Sequence, residues 1–418
     1  MIKKATKLIS KARPHASNIL WSNVNQVVIV LANLGISIVF ARFADKALYG
    51  QFLFILATFS LLSIVSIPGT RTVIFRTVAQ GYDGVYAKAT SFSFLWSMLG
   101  IPLVVITGVI LYHVKSKILG TSLVACALLF PFVTSLQNWM LFLKGRADFK
   151  RLSIYSLIKF LTILIAVALS IILSKNLIVI LLAYYFTITG FNIFYHLKSL
   201  RILRNDRIDQ GWKKQSFALT IMDLSVIAFG QVDIVLIGAL LPLEQVAIYG
   251  LVMKFVDVFL KTIKCTVEGI LPSLFRSKVT VKYFYKFFFI SFLIPVILYP
   301  VIRFPILFLF SRKYSDVIIF SKVYIAVIPF YFLDSIANCF LIKYQLNMEI
   351  NISRIVSIIA VIILYAILIP WYGIWGGVIS SILYYMIQLM MNLIMLRVGK
   401  PEYGANPECI PMNSEDLS

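Results

Sequence analysis

Leu243-Glu244-Gln245-Val246-Ala247-Ile248-Tyr249-Gly250 restates, at an offset of 200 residues, the pattern of Phe43-Ala44-Asp45-Lys46-Ala47-Leu48-Tyr49-Gly50. Each stretch closes a short polar break between two long apolar runs. At the same offset Asn23 falls opposite Asp223, Asn33 opposite Asp233 and Asn138 opposite Asn338. A single Tyr-Gly match could arise by chance, but the accompanying equivalences indicate a duplicated chain. Two halves of equal span number and like orientation imply parallel repeats about an axis normal to a membrane, a plan common among transporters.

The rest of the chain supports that reading. With 60% hydrophobic and only 13% charged residues, and a mean hydropathy of +0.92, too little polar surface remains to clothe a soluble domain. A spanning helix needs roughly 20 mostly apolar residues. Runs of that kind lie near 17–41, 48–68, 89–113, 118–143, 153–174 and 177–198, then near 216–241, 245–272, 285–310, 318–342, 352–370 and 373–396. The expected fold is therefore an all-α polytopic membrane protein of about twelve transmembrane helices. They form two six-helix lobes related by a parallel pseudo-two-fold repeat. The expected division is a first lobe over 1–200, a basic linker over 201–215, a second lobe over 216–398 and a polar tail over 399–418.

The formal charge of +22 would suggest nucleic acid on a soluble protein, but on a membrane protein its distribution matters more. With the N-terminus inside, 26 of the 39 Lys and Arg fall in inside segments. The outside loops hold seven: Arg42, Lys46, Lys115, Lys117, Lys175, Arg312 and Lys313. That bias predicts both termini in the cytoplasm and removes the need for a nucleic-acid partner. The basic N-terminus precedes an apolar run too long for a signal peptide, so it reads as a retained first span. Cys126, Cys265, Cys339 and Cys409 are far apart, and His15, His113 and His196 form no cluster. Neither a metal site, a disulfide framework nor a cofactor is expected.

The eighth span carries the densest chemistry. In Lys254-Phe255-Val256-Asp257-Val258-Phe259-Leu260-Lys261-Thr262-Ile263-Lys264-Cys265-Thr266-Val267-Glu268, the charges recur at helical spacing. At about 100° per residue they share one narrow stripe. Each would cost roughly 2.5–3.5 kcal/mol against lipid at mid-bilayer, so the stripe is expected to face water or partners. A ladder of Lys254–Asp257, Lys261–Asp257 and Lys264–Glu268 pairs is the plain structural explanation. Three lysines meet only two acids, however, which leaves a positive excess suited to an anionic ligand such as a phosphate or an acidic sugar.

Other polar groups within spans are Asp223 and Asp233 in the seventh and Asp334 and Asn338, one turn apart, in the tenth. With Asp257 and Glu268 they are candidates for ion coupling or cavity lining. Asn23, Asn25, Gln26 and Asn33 make the first span polar on more than one side. Lys159, in the fifth span, is expected to snorkel toward the cytoplasm. Arg71 and Arg76 follow Pro68-Gly69, either as ordinary inside charges or as the inner rim of an anion site. Tyr and Trp offer flat faces to sugars but also belong at membrane interfaces, so Trp21, Trp96, Trp139, Trp371 and Trp375 decide little.

The segment Phe229-Gly230-Gln231-Val232-Asp233-Ile234-Val235-Leu236-Ile237-Gly238, continuing to Ile248-Tyr249-Gly250, resembles the helix 7–8 region of Wzx-type polysaccharide flippases. So does the hairpin Ile369-Pro370-Trp371-Tyr372-Gly373-Ile374-Trp375-Gly376-Gly377, in which Pro370 is expected to end the eleventh helix. These flippases belong to the multidrug/oligosaccharidyl-lipid/polysaccharide exporter superfamily, with multidrug exporters and lipid II flippases. The resemblance implies two lobes around a central cavity opening alternately to each side. The implied substrate is an undecaprenyl-pyrophosphate-linked O-antigen or capsule repeat unit, and the implied partners are membrane lipid, a polymerase and other assembly proteins. Lys254, Lys261 and Lys264, with Arg71 and Arg76, would be the cavity cations. A multidrug or small-molecule antiporter on the same scaffold is the alternative, although the lysine excess suits cationic drugs poorly. An enzyme is not expected: outside loops are short, and no DxD pair for a nucleotide-sugar metal site occurs.

Overall fold

The computed structural model describes residues 2–276, 284–344 and 346–398; side chains are not described for 2–19, 221–222, 225–226, 228–229, 265–266, 268–276, 284–290 and 347. The side chain of Glu268 and the tail from 399 therefore lie outside the described residues.

In the first half, α1 (Ile2–Phe43), α2 (Lys46–Leu62), α3 (Gly69–Ala79), α4 (Gly84–Met98) and α5 (Gly100–Val114) lead to a fourth span. That span is broken into α6 (Lys117–Cys126), α7 (Phe130–Thr134) and α8 (Trp139–Gly145), with 3-10 turns between them. It is followed by α9 (Phe149–Leu173) and α10 (Leu177–Leu200). The second half runs α11 (Trp212–Phe229), α12 (Val232–Leu240), α13 (Leu243–Arg276), α14 (Phe284–Val301) and α15 (Arg303–Phe310). It ends with α16 (Asp316–Tyr324), α17 (Val327–Lys343), α18 (Asn347–Tyr372) and α19 (Ile374–Val398).

Among the described residues nine helices are long and apolar enough to cross a membrane, or ten counting the pair Ser291–Val301 and Arg303–Phe310, bent by 56°. The charges of α13 keep it out of that group, and Lys213, Lys214 and Asp223 do the same for α11. The expected all-α polytopic architecture stands. Many apolar side chains, such as Leu173 and Val296, are exposed on the periphery, as a lipid-facing surface requires.

The echo at 43–50 and 243–250 proves to be structural. Tyr49 and Tyr249 are both fully buried, and each donates its hydroxyl to the preceding helix, to Ser37 Oγ at 3.0 Å and Asp233 Oδ2 at 2.8 Å respectively. The neighbouring glycines let α2 and α13 cross closely. A β-carbon at Gly50 would sit 1.7 Å from the Leu243 carbonyl oxygen, and one at Gly250 would sit 2.4 Å from Leu53 Cδ1.

On the face assigned to the outside by the charge bias, basic residues reach between the halves. Lys46 pairs with Asp316 at 3.0 Å. Arg42 donates to Phe308 O at 2.7 Å, at the end of α15. Lys115 donates to Ala239 O and Leu241 O, both at 3.1 Å, at the end of α12, and Lys313 donates to Ala44 O just beyond α1. Cations at helix C-termini satisfy carbonyls that have no intrahelical partner.

On the opposite face α3 packs against α11. Gly69 N donates to Thr220 Oγ1 at 3.1 Å, and a β-carbon on Gly69 would meet Ser216 O at 2.2 Å. The residues joining the halves are tied to the first. Asp83 accepts from Arg146 and, at 2.9 Å, from Arg204 N, while Gly84 N donates to Arg207 O at 3.1 Å. Trp212 is buried in the cluster of Tyr86, Trp139 and Phe142.

One sequence expectation changes here. Pro370 does not end its helix: α18 continues to Tyr372, and Gly373, at φ +58°, makes the turn. Pro370 costs the helix one bond, since its nitrogen cannot donate to Ala366 O, but the chain keeps helical φ until Gly373 supplies the left-handed turn.

Candidate functional site

Between the two interhelical contacts lies a cavity of about 600 Å³, walled by both halves of the chain. Its charged lining is Arg71, Lys159, Lys254, Asp233 and Asp257, three cations against two carboxylates. Five tyrosines also reach it: Tyr184, Tyr185, Tyr324, Tyr365 and Tyr385.

Each charge has a local origin. Arg71 sits in the first turn of α3, directed into the cavity by the break at Pro68-Gly69, and its Nη2 donates to Thr134 O at 3.3 Å. Thr134 ends α7, where the interruption of the fourth span frees backbone carbonyls. Irregular backbone at membrane depth is tolerated where it lines a cavity or is buried in protein. Lys159 projects inward from α9 and donates to Asn192 Oδ1 of α10 at 2.8 Å.

In the second half, Asp233 sits in the first turn of α12 and accepts from Ile234 N at 2.7 Å and Tyr249 Oη at 2.8 Å. Tyr249 Oη lies 3.0 Å from Ser381 Oγ, which lies 2.8 Å from Tyr365 Oη. This buried chain ties α12, α13, α18 and α19 together and supplies partners to a carboxylate that burial would otherwise penalise. Lys254 and Asp257 are on the cavity face of α13, with the Lys254 ammonium 5.8 Å from the centre of the Tyr49 ring.

Residues 15–278 match the family described as polysaccharide biosynthesis protein, a stretch covering well over half of the chain. The chain belongs to this family. No curated protein matches this polysaccharide biosynthesis protein. Among solved structures it is similar to the lipid II flippase MurJ in an inward closed conformation. The identity is 15% and the TM-score 0.65, covering 91% of this chain and 87% of that one. It is also similar to an inward-facing multidrug resistance MATE family transporter of the MOP superfamily, at 12% identity and a TM-score of 0.68, covering 90% and 98%. A MOP superfamily transporter from Pyrococcus furiosus, described as having a binding pocket of reverse polarity, matches at 13% identity and a TM-score of 0.58, covering 91% and 94%. At such identities these likenesses show a shared fold.

In this family member the cavity gathers only part of the set marked out in the sequence. Lys254, Asp257, Asp233 and Arg71 line it together. Lys261 lies next to it, in a narrow crevice shared with Asn33 and Val30 of α1, and pairs with Asp257 at 3.3 Å. Lys264 and Arg76 are exposed and absent from its lining. Asp223 faces α3 and accepts from Thr72 Oγ1 at 3.4 Å. Asp334 is buried within the second half, accepting from Asn392 Nδ2 at 2.6 Å and Asn338 Nδ2 at 3.3 Å. None of these last three residues lines the cavity. Of the expected pairs on α13, Lys261–Asp257 forms, while Lys264–Glu268 falls on an undescribed side chain.

The sequence reading of Lys159 requires correction. Its side chain does not snorkel: it is 5% exposed and turned into the bundle, held by Asn192. The repeat carries a signal for the cavity tyrosines. Tyr184-Tyr185 recurs at the same offset as Tyr384-Tyr385, as Asn192 does at Asn392.

Proposed function

We propose that this protein is a flippase for a lipid-linked oligosaccharide, carrying an undecaprenyl-pyrophosphate-linked O-antigen or capsule repeat unit from the cytoplasmic to the periplasmic leaflet of a bacterial inner membrane. The observation that carries this reading is the cavity between the halves, with three cations, two carboxylates and five tyrosines on its wall. A diphosphate needs cations in a low-dielectric setting, and sugars need flat apolar faces with hydroxyls nearby. The family and the shared fold support the same conclusion. The head group would enter the cavity while the polyprenyl chain stays in lipid. Exchange of the contacts on the two faces would then turn the head group outward. Both termini would be cytoplasmic, and a polymerase and other assembly proteins would receive the product.

The test is functional. Expression in a strain lacking its own repeat-unit flippase should restore surface polysaccharide, and the double variant Arg71→Met/Lys254→Met should not, at equal membrane abundance. Full restoration by the double variant would refute the cavity mechanism. A drug antiporter remains the second reading, because Asp233 and Asp257 also face the cavity among aromatic rings that could hold an organic cation. Raised drug tolerance on expression, without polysaccharide restoration, would favour it.

A further inference from the structure

Lys159 is the cavity cation without a carboxylate partner among the described residues; besides Asn192 its ammonium meets the ring faces of Trp139 at 5.8 Å and Phe160 at 6.0 Å. Its neighbour Asn192 is fully buried and already satisfied without it. Asn192 Nδ2 donates to Phe132 O at 3.2 Å and Val133 O at 3.4 Å, and its Oδ1 receives a second donor, Trp139 Nε1, at 3.3 Å. Among the described residues no carboxylate lies within ion-pair distance of Lys159, and Asn192 is its one hydrogen-bond acceptor. Arg71 has Asp223 as an electrostatic neighbour and Lys254 has Asp257. A buried charge without a counter-charge is costly, and an amide oxygen and ring faces offset that cost only in part. A methionine at position 159 would fill the same space at no such cost, so the charge points to something that enters the cavity.

The surroundings define what that would be. Asn192 holds the carbonyls of Phe132 and Val133, and Arg71 and Gln137 both donate to the next one, Thr134 O, at 3.3 and 3.0 Å. The broken fourth span thus carries Lys159 through Asn192 on one side and Arg71 on the other. Val133, Thr134 and Gln137 face the cavity between them. Two cations and an amide around exposed irregular backbone match the donor needs of an oxyanion.

We infer that Lys159 and Arg71, braced by the interrupted fourth span, form an oxyanion subsite on the wall of the first half. It binds an anionic group of the transported head group, and Lys159 determines which head groups are accepted. The inference rests on the flippase reading. The oxyanion could be the diphosphate of the lipid carrier or the carboxylate of an acidic sugar, and the binding experiment separates the two.

The test uses the full chain in nanodiscs, with farnesyl diphosphate, farnesol and a glucuronate disaccharide as probes. Lys159→Met should weaken one oxyanion probe at least tenfold, leave farnesol unchanged, and keep or raise the melting temperature of the ligand-free protein. Lys159→Arg should bind within about threefold of wild type. Loss of farnesyl diphosphate binding assigns the subsite to the carrier, and loss of the glucuronate probe assigns it to the sugar. Equal binding of both oxyanion probes by wild type and Lys159→Met would overturn the subsite while leaving the flippase reading intact. A fall in melting temperature with binding lost in both variants would make Lys159 structural and would also overturn it. Failure of wild type to bind either oxyanion probe would remove the reading and the subsite together.

Discussion

At the scale of single residues, neighbours that look alike in the sequence do different work. Lys254 and Lys264 belong to the same stripe of α13, yet the first lines the cavity and the second is exposed. Lys254→Met is therefore expected to abolish polysaccharide export while Lys264→Met retains most of it, measured as surface polysaccharide at equal protein level. Equal loss in both would argue for a field effect of the whole stripe. Tyr249 acts by a different route, as the hydroxyl that partners Asp233. Tyr249→Phe strips that carboxylate of a buried donor, which typically costs about 1–3 kcal/mol. The variant should melt earlier in detergent, and an unchanged melting temperature would show that the chain from Asp233 to Ser381 and Tyr365 carries no stability. The sequence displayed charge spacing clearly because helical period is a local property. It could not display the direction of Lys159, since whether a lysine in a span reaches the membrane surface or a buried amide depends on a helix 33 residues away.

At the scale of elements, the spans were legible because length and hydropathy alone nearly determine them, and most element breaks among the described residues fall near a Gly, Pro or polar cluster. The function of the repeated Tyr-Gly was not legible, because it lies in the crossing of α2 over α13. The two glycines are not equivalent in tolerance. A methyl at Gly50 would collide with main chain, the Leu243 carbonyl, whereas one at Gly250 meets the movable end of Leu53. Gly50→Ala should accordingly lower the melting temperature sharply or prevent accumulation, while Gly250→Ala should be mild. The reverse order would mean that the crossing is not as close as described. The fourth span shows a further limit, because its interruption near 126–138 contains a single proline, Pro131, and no glycine. The carbonyl contacts of Asn192 and Arg71, distant in sequence, satisfy what the break exposes.

At the scale of the whole molecule, the positive residues in the loops that the charge bias would assign to the outside act as clasps between the halves. Lys115 caps the end of α12, in the seventh span, and Lys313 caps the end of α1, the first span. These are equivalent contacts in a duplicated chain, each reaching from one half to the other. Replacing both lysines by methionine removes cation–carbonyl bonds from the outer face alone. It should raise the labelling of a cysteine placed at Tyr49 by an outside reagent, and unchanged labelling would mean that the α2–α13 crossing alone keeps that face closed. The account as a whole depends on the charges of α13 meeting water within the bundle. The most direct measurement is labelling of a cysteine-free background carrying Lys254→Cys, with a charged, water-soluble methanethiosulfonate applied to open membranes, and with Leu169→Cys on the exposed apolar face of α9 as reference. The account predicts rapid modification at 254, slowed by farnesyl diphosphate, and none at 169; a position 254 that stays unmodified under every condition, while the protein remains folded, would contradict it.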